Sequence, residues 1–515
     1  MAVNSRMNNQ WSRVMVTGKR WWHWLVSNQS VSVRLIVPLI IGTTLGVGFV
    51  WSSLWWVGLL GVPLLLERIR QTDTVVSAAA LGWGVMTVAS AWSLVWFWSV
   101  LPISWLPISG VVAPVLLVGV YWVTAALWLG GSGIVVGLGW WYIAGWWPKS
   151  WWWTAPSVWI IGEVFGSGFF SVMTWQKGVE FAPHFSFGYL GYLVAQHEWL
   201  FQFAQIAGVY SLSVVGVVVG YGLYKLFSQA QTTLAVGLVV GVIIFQWIPF
   251  PDIVMVDKEP VSIAVVETAF TGAYRKEVAV NQMIKTAITA ADQAGAEYVV
   301  LSEDMRYLTS RLESPLLPLE LRGEWGTSSL IIIDSGRVAT DSGAVLRGVV
   351  YDNVNAKRWV ADKQHLVPQG EYLPALYAGV LRWIGYGSAL QTIGKEVNYI
   401  TGAKAEQQFV ADTPGILFCF ESVTPWGVRR ILSQRETKPV FVAHPISHAW
   451  FHDGVVLRQQ LDTMLRVQAR WNQVPIISAG NLAPSAIYYP SGIINDVPRE
   501  GIQVNDRVKV KLFTL

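Results

Sequence analysis

Residues 75 to 148 contain no Asp, Glu, Lys or Arg, whereas beyond residue 252 apolar runs of four to eight residues are broken regularly by charges. A helix needs about 20 apolar residues to cross the hydrocarbon core of a bilayer. Candidate spans are 35–50, 52–66, 75–101, 110–147, 152–173, 205–227 and 234–250, the first two short enough to form a tight hairpin. Basic residues set the orientation. Arg6, Arg13, Lys19, Arg20 and Arg34 precede the first acid, Glu67; Arg68 and Arg70 follow the second span; Lys149 and Lys225 mark two later points. All four groups lie on the cytoplasmic side, as basic flanks prefer, if 110–147 crosses once. The chain then makes seven crossings. It divides into a basic cytoplasmic segment (1–34), a transmembrane helical domain (35–250) with an aromatic outer-face loop at 174–204, and an extracytoplasmic domain (251–515).

The far half follows a different period. Strand-like runs VSIAVVE (261–267), AEYVVLSE (296–303), SSLIIID (328–334), one around VVYDNVNAKRWVADK, GILFCFE (415–421), PVFVAHP (439–445) and PIISAG (475–480) recur along it. Helical patterns follow the first at 280–296 and separate the last two at 456–471. Strands separated by helices predict an α/β sheet. The expected architecture is therefore a helical membrane bundle followed by an α/β domain.

Composition sharpens this. Hydrophobic residues make up 53% and charged residues 13%, with mean hydropathy +0.43. Roughly a quarter charged is usual for a soluble protein, so a wholly soluble chain is excluded. The net charge of +4 lies largely in the N-terminal flank and gives no reason to expect a nucleic-acid partner. Cys419 is the only cysteine, so no internal disulfide can form. Its two readings are a small buried apolar side chain or a nucleophile.

Three polar residues stand at or just past strand ends: Glu303, Lys363 and Cys419. Strand ends of an α/β sheet converge on one rim, where ligands bind. A carboxylate there can accept the thiol proton, and an ammonium can stabilise an oxyanion. Glu163, inside an apolar span, is a further candidate because a carboxylate is costly there. His444, His448 and His452 recur every four residues, but Pro445 and the preceding strand run argue against one helix face, and the spacing lacks the acid of a zinc motif.

At these residues the chain resembles the nitrilase (carbon–nitrogen hydrolase) superfamily, and most closely its membrane-bound branch, the apolipoprotein N-acyltransferases. DKQHLVPQGEYLP (362–374) is similar to that branch's YxKxHLVPFGEYVP loop, LFCFES to its cysteine segment, and YVVLSEDM to the strand carrying its general base. WWPKSWWWTAPSVWIIGEVF (146–165), QIAGVYSLS (205–213), HAWFHD (448–453) and GNLAPSAIYYPSG extend the resemblance over most of the chain. It implies an α-β-β-α sandwich with Glu303 as general base, Lys363 as oxyanion stabiliser and Cys419 as nucleophile. Glu371 and Glu421 are implied as supporting acids, and Trp450, Asn481 and Glu163 as substrate or gate contacts. It further implies acyl transfer from a membrane phospholipid, through a thioester, to the α-amino group of a lipoprotein's diacylglyceryl-cysteine, with no metal or organic cofactor. The setting would be the outer face of a bacterial cytoplasmic membrane. The chain departs from the pattern at Ser302, Asp304, Ala361, Gln369, Phe420, Gly166, Trp471 and Asn481-Leu482-Ala483, and has no apolar span after its last motif. Two other readings share these residues: a membrane-tethered amidase that delivers the acyl group to water, and a non-catalytic lipid- or lipoprotein-binding relative.

Overall fold

The computed structural model describes residues 31–515 except 104–109, 147, 182–183, 229–259, 272–277, 313, 315, 327, 384, 386–397, 403–412 and 453. The basic segment before residue 31 and the expected span 234–250 lie outside the described residues.

The apolar runs form helices α1 (Val31–Gly46), α2 (Trp55–Arg70), α3 (Val75–Ser93), α4 (Val112–Leu129), α5 (Gly131–Trp146), α6 (Trp151–Met173) and α7 (Val209–Ser228). Among the described residues five helical stretches are long and apolar enough to cross a membrane, with 112–146 counted as one, and 35–49 is a shorter apolar helix. Small residues let the backbones meet. A Cβ on Gly82 of α3 would stand 2.0 Å from the Gly133 carbonyl oxygen of α5, so the two helices touch main chain to main chain. In an apolar solvent such close packing replaces the hydrophobic drive between helices.

The bundle has two chemically different ends. At one, Glu67 of α2 accepts from Tyr221 Oη at 2.7 Å and pairs with Arg70 (2.8 Å) and Lys225 (3.3 Å), and Trp141 of α5 donates to the Thr72 carbonyl. At the other, the Phe49 and Ser93 carbonyls accept from Gln460, and the Thr174 carbonyl accepts from Tyr372. Helices α4 and α5 meet at Gly130, whose backbone stays right-handed, so 112–146 passes once between these ends. The expected span 75–101 is helical only to Ser93 and continues as a 3₁₀ turn, Val95–Val100.

The remainder is built on strands β1 (Ser262–Thr268), β2 (Tyr298–Leu301), β3 (Ile331–Thr340), β4 (Gly343–Asp352), β5 (Lys357–Asp362), β6 (Gly415–Ile416), β7 (Val442–Ser447), β8 (Ile476–Asn481), β9 (Ala486–Tyr488), β10 (Ile494–Asn495), β11 (Glu500–Gln503) and β12 (Val508–Thr514). One sheet runs β11-β12-β1-β2-β3-β4-β5 and the other β6-β7-β8-β9-β10, joined where Thr268 pairs with Asn481. Alternate side chains of β1 face opposite ways. Ile263 and Val265 enter a core shared with Ile416, Phe418, Ala443 and Ile477 of the second sheet. Ala264 and Val266 instead pack with Ile284 and Ile288 of α8 (Val278–Gln293) and with Leu317 and Leu321 of α9 (Leu317–Trp325). After α10 (Ala375–Trp383), beyond the second sheet, Val428 of α11 (Gly427–Ser433) and Leu465 and Ala469 of α12 (Val455–Asn472) pack on Val442 and Ile476. The layers are helix, sheet, sheet, helix: the α-β-β-α sandwich.

Several details differ from the sequence reading. The run 415–421, expected as a strand, is one only at Gly415–Ile416 and then turns as a 3₁₀ helix at Cys419–Val423, and β9, β10 and β11 were not expected. The strand expected around residues 349–363 is the β4–β5 hairpin, because Asp352 accepts the Asn355 N–H and turns the chain. Strand β12 was not expected, although Lys509 and Lys511 alternate with the buried Val508, Val510 and Leu512.

Candidate active site

Strand β2 ends at Leu301, and the chain passes through a fully buried serine before reaching Glu303. Ser302 Oγ lies 2.7 Å from Thr268 Oγ1, which donates to Asn481 Oδ1 at 2.9 Å. Beyond Glu303 the backbone turns sharply, with φ of +61° at Asp304 and +62° at Arg306. Such conformations cost energy in non-glycine residues and need support. Here it comes from a two-pronged Arg306–Asp304 pair, from Ser335 Oγ accepting the Asp304 N–H, and from Asp334, which accepts the Leu308 and Thr309 N–H groups. Burial pushes the Asp334 carboxyl up to about 6.

Lys363 follows β5, with its N–H on the Leu346 carbonyl and its side chain wholly enclosed. Its Nζ donates to Glu371 Oε1 at 2.7 Å and to Glu303 Oε1 at 3.2 Å. Burial alone would lower the ammonium, but Glu303 and Glu371 together hold it above the ordinary lysine value. It therefore stays charged at any physiological pH. Glu371 also accepts the Val367 N–H at 2.8 Å, so one carboxylate both holds the ammonium and folds the loop that returns to it. Trp450 closes over that loop, where a Cβ on Gly370 would come within 2.3 Å of its indole.

Cys419 opens the short 3₁₀ turn Cys419–Val423 that follows β6. It is half-buried, and Glu303, Lys363 and Glu371 are all near enough for their charges to act on its thiol. Burial, then the charge of Glu303, push the thiol up to about 12, against the opposing pull of Lys363 and of a hydrogen bond from the Ser447 backbone. The resting sulfur is protonated and needs a base for attack. Glu421, two residues on and 2% exposed, accepts N–H groups from Gln364 (2.8 Å), His365 (3.3 Å) and Phe418 (3.3 Å) and pairs with Arg430 Nη2 at 2.6 Å. It staples the lysine segment to the cysteine segment.

The structure thus brings Glu303, Lys363, Glu371 and Cys419 together, with Glu421 beneath the two segments and Trp450 beside the loop. Asn481 is fully buried: besides Thr268 it accepts the Phe270 N–H and donates to the Phe270 carbonyl and Ser447 Oγ, which ties strand ends together. Glu163 is enclosed in the bundle, accepting from Trp159 Nε1 at 3.0 Å and the Leu190 N–H at 2.7 Å. The three histidines diverge. His444 sits inside β7 against Ser478, His448 packs on Phe451, and His452 meets the Pro102 carbonyl. Among the described residues no three His, Cys, Asp or Glu side chains are grouped to hold a metal ion. A small cavity lined by Phe49, Tyr192, Gln196, Gln460 and Met464 contains none of the site groups.

Several residues emerge only in three dimensions. His184 of the 174–204 segment stacks on His365 (4.8 Å between centroids, 7° between planes). Phe420 packs on Phe185, which stacks on Phe170 of α6. The Ala375 N–H donates to the Trp175 carbonyl, and Tyr377 meets Tyr121 of α4. The sandwich therefore packs directly against α4 through Tyr377 and Tyr121, and against α6 through Phe420, Phe185 and Phe170.

No protein-family model matches the chain, and no curated protein does. Solved structures do. An amidase from Nesterenkonia sp. is 15% identical, with TM-score 0.34, covering 49% of this chain and 90% of its own. Saccharomyces cerevisiae Nit3, a member of branch 10 of the nitrilase superfamily, is 14% identical (TM-score 0.33, 49% of this chain and 90% of that one). The glutamine-dependent NAD+ synthetase of Acinetobacter baumannii is 13% identical (TM-score 0.33, 50% and 46%).

Proposed function

We propose that this protein is a membrane-embedded acyltransferase that moves a fatty acyl chain from a phospholipid, through a thioester on Cys419, to the α-amino group of the diacylglyceryl-cysteine of lipoproteins. In this reading the bundle spans a bacterial cytoplasmic membrane and the sandwich stands on its outer face. The supporting observation is the acid–ammonium–acid–thiol cluster in a sandwich packed directly against apolar helices. A soluble amidase has no need of those helices, whereas two substrates held in a bilayer do.

Glu303 takes the proton as the sulfur attacks the donor ester carbonyl. The oxyanion forms beside Lys363, whose charge the two flanking acids maintain. Collapse breaks the C–O bond, and the lysophospholipid alkoxide leaves with the proton from Glu303. In the second half-reaction the lipoprotein amine attacks the thioester and gives its proton to Glu303. The C–S bond breaks, and sulfur recovers a proton. The resemblance of the 362–374 and 416–422 segments to the apolipoprotein N-acyltransferases supplies the choice of donor and acceptor.

Feeding cells an alkyne-tagged fatty acid tests this. The expected result is a hydroxylamine-labile adduct on Cys419, absent in Cys419→Ser and passed on to lipoproteins. Loss of the adduct to water with no lipoprotein labelled would point to the membrane-tethered amidase. A folded, inserted wild type that never carries the adduct would point to the non-catalytic relative.

A further inference from the structure

Glu421 binds both chain segments carrying Lys363 and Cys419, through the Gln364, His365 and Phe418 N–H groups. A carboxylate 2% exposed at such a junction requires a countercharge, since a buried unpaired charge is strongly destabilising. Arg430 of α11 supplies it, with Nη2 2.6 Å from Glu421 Oε1. Its other prong does different work: Nη1 lies 3.2 Å from His365 Nε2. A guanidinium can only donate, so Nε2 accepts and the ring proton sits on Nδ1. That nitrogen is 3.7 Å from Glu180 Oε2, and the same carboxylate oxygen is 3.8 Å from Arg430.

Glu180 belongs to the outer-face segment of the helical domain, which is pinned to the lysine segment in its own right. Its N–H donates to Thr401 Oγ1 at 2.9 Å, and Thr401 Oγ1 donates to the Gln364 carbonyl at 3.1 Å. His184 of the same segment covers the far face of this network by stacking on His365. One arginine therefore meets the lysine segment, the cysteine turn and the bundle's outer-face segment.

We propose that Arg430 is a positioning residue which, by neutralising Glu421 and orienting His365, keeps the lysine and cysteine segments in register, with Glu180 of the outer-face segment fixing its place. The inference rests on the reading of Cys419 as an acylated nucleophile. Arg430 acts through Glu421 and takes no proton. Lysine in its place retains the charge but cannot fork between a carboxylate and an imidazole.

The test is single-turnover acylation of Cys419 by an alkyne-tagged phospholipid, using the full-length protein in lipid nanodiscs. Arg430→Gln is expected to slow acylation about 100-fold, the penalty of an ångström-scale misplacement. Arg430→Lys should recover to within about tenfold of wild type, keeping the charge but losing the fork. Because neutralised Glu421 no longer needs a counterion, the double variant Glu421→Gln/Arg430→Gln should acylate no more slowly than the slower single variant; independent roles would multiply. If Arg430→Gln does not fold, Glu180→Gln, which leaves the Glu421 pair in place, should still slow the step about two- to fivefold, the worth of a partly exposed ion pair. Arg430→Gln acylating within twofold of wild type, a double variant slowed by the product of the singles, a lysine variant no faster than glutamine, or an unaffected Glu180→Gln each overturns the proposal. A wild type that acquires no adduct overturns the functional reading and this inference with it; normal wild-type acylation with an indifferent Arg430 overturns only this inference.

Discussion

Lys363 Nζ lies closer to Glu371 Oε1, at 2.7 Å, than to Glu303 Oε1, at 3.2 Å. The tighter partner is the acid that also folds the loop, and the looser one is the acid assigned the proton. Glu371→Gln should therefore leave Glu303 as the lone counterion, drawing the ammonium toward it and loosening the Val367 turn. Acylation should fall about 100-fold through misplacement. Glu303→Gln should cost about 100- to 10,000-fold through loss of the base. Single-turnover thioester formation separates the two from folding defects, since both proteins should remain intact in detergent.

The thiol pushed up to about 12 makes a prediction for chemical labelling. At pH 8 about one molecule in ten thousand would carry a thiolate, against about a quarter for a free thiol of ordinary pKa. Iodoacetamide should therefore label Cys419 about a thousandfold more slowly than glutathione, with the rate rising about tenfold per pH unit from 7 to 10. Lys363→Met removes a nearby cation that favours the thiolate and should slow labelling further. Rapid labelling at neutral pH would contradict the assigned environment.

Two buried histidines set an acid limit. Burial pushes His444 down to about 3 and His448 down to about 4. Both folded values lie below the unfolded value of about 6.5, so the unfolded chain binds more protons in the interval between. Their contribution is complete above pH 6.5 and is lost as pH falls toward 4 for His448 and 3 for His444. Thermal melting should drop steadily below pH 6.5, and His444→Asn should make that decline shallower.

Asn481 joins three strand ends with a fully engaged amide. Asn481→Ala strands the Phe270 backbone groups and the Thr268 hydroxyl in a dry interior, and should lower stability by about 3 kcal/mol. Denaturant unfolding of the purified protein would measure it. Little change in stability, with a large rise in substrate KM, would instead mark it as a ligand contact.

The membrane half was readable because a long run without charges admits few alternatives, and strand ends pointed to Glu303, Lys363 and Cys419 because polar residues interrupted apolar runs there. Arg430 was not visible. It sits nine positions past Glu421 in a stretch with no periodic signal, and meets that acid only because α11 folds back. The stacking of His184 on His365 likewise joins segments that no local pattern connects. Asn481 shows the converse: its motif suggested a contact with substrate, but a side chain amide with both donors and acceptor satisfied suits a strand junction equally well. The β4–β5 hairpin was hidden because Asp352, Asn353 and Asn355 read as polar positions within one strand until an Asx-type bond turns the chain.

The charge cluster at the basic end of the bundle bears on how the chain is made. Glu67 lies within α2, yet its Tyr221 and Lys225 partners are on α7, about 150 residues later in synthesis. Until α7 emerges from the ribosome, Arg70 alone of these three partners is at hand to satisfy the acid. This polar cluster therefore closes only when a later helix joins the bundle, and a ribosome stalled before residue 221 would leave Glu67 without Tyr221 and Lys225.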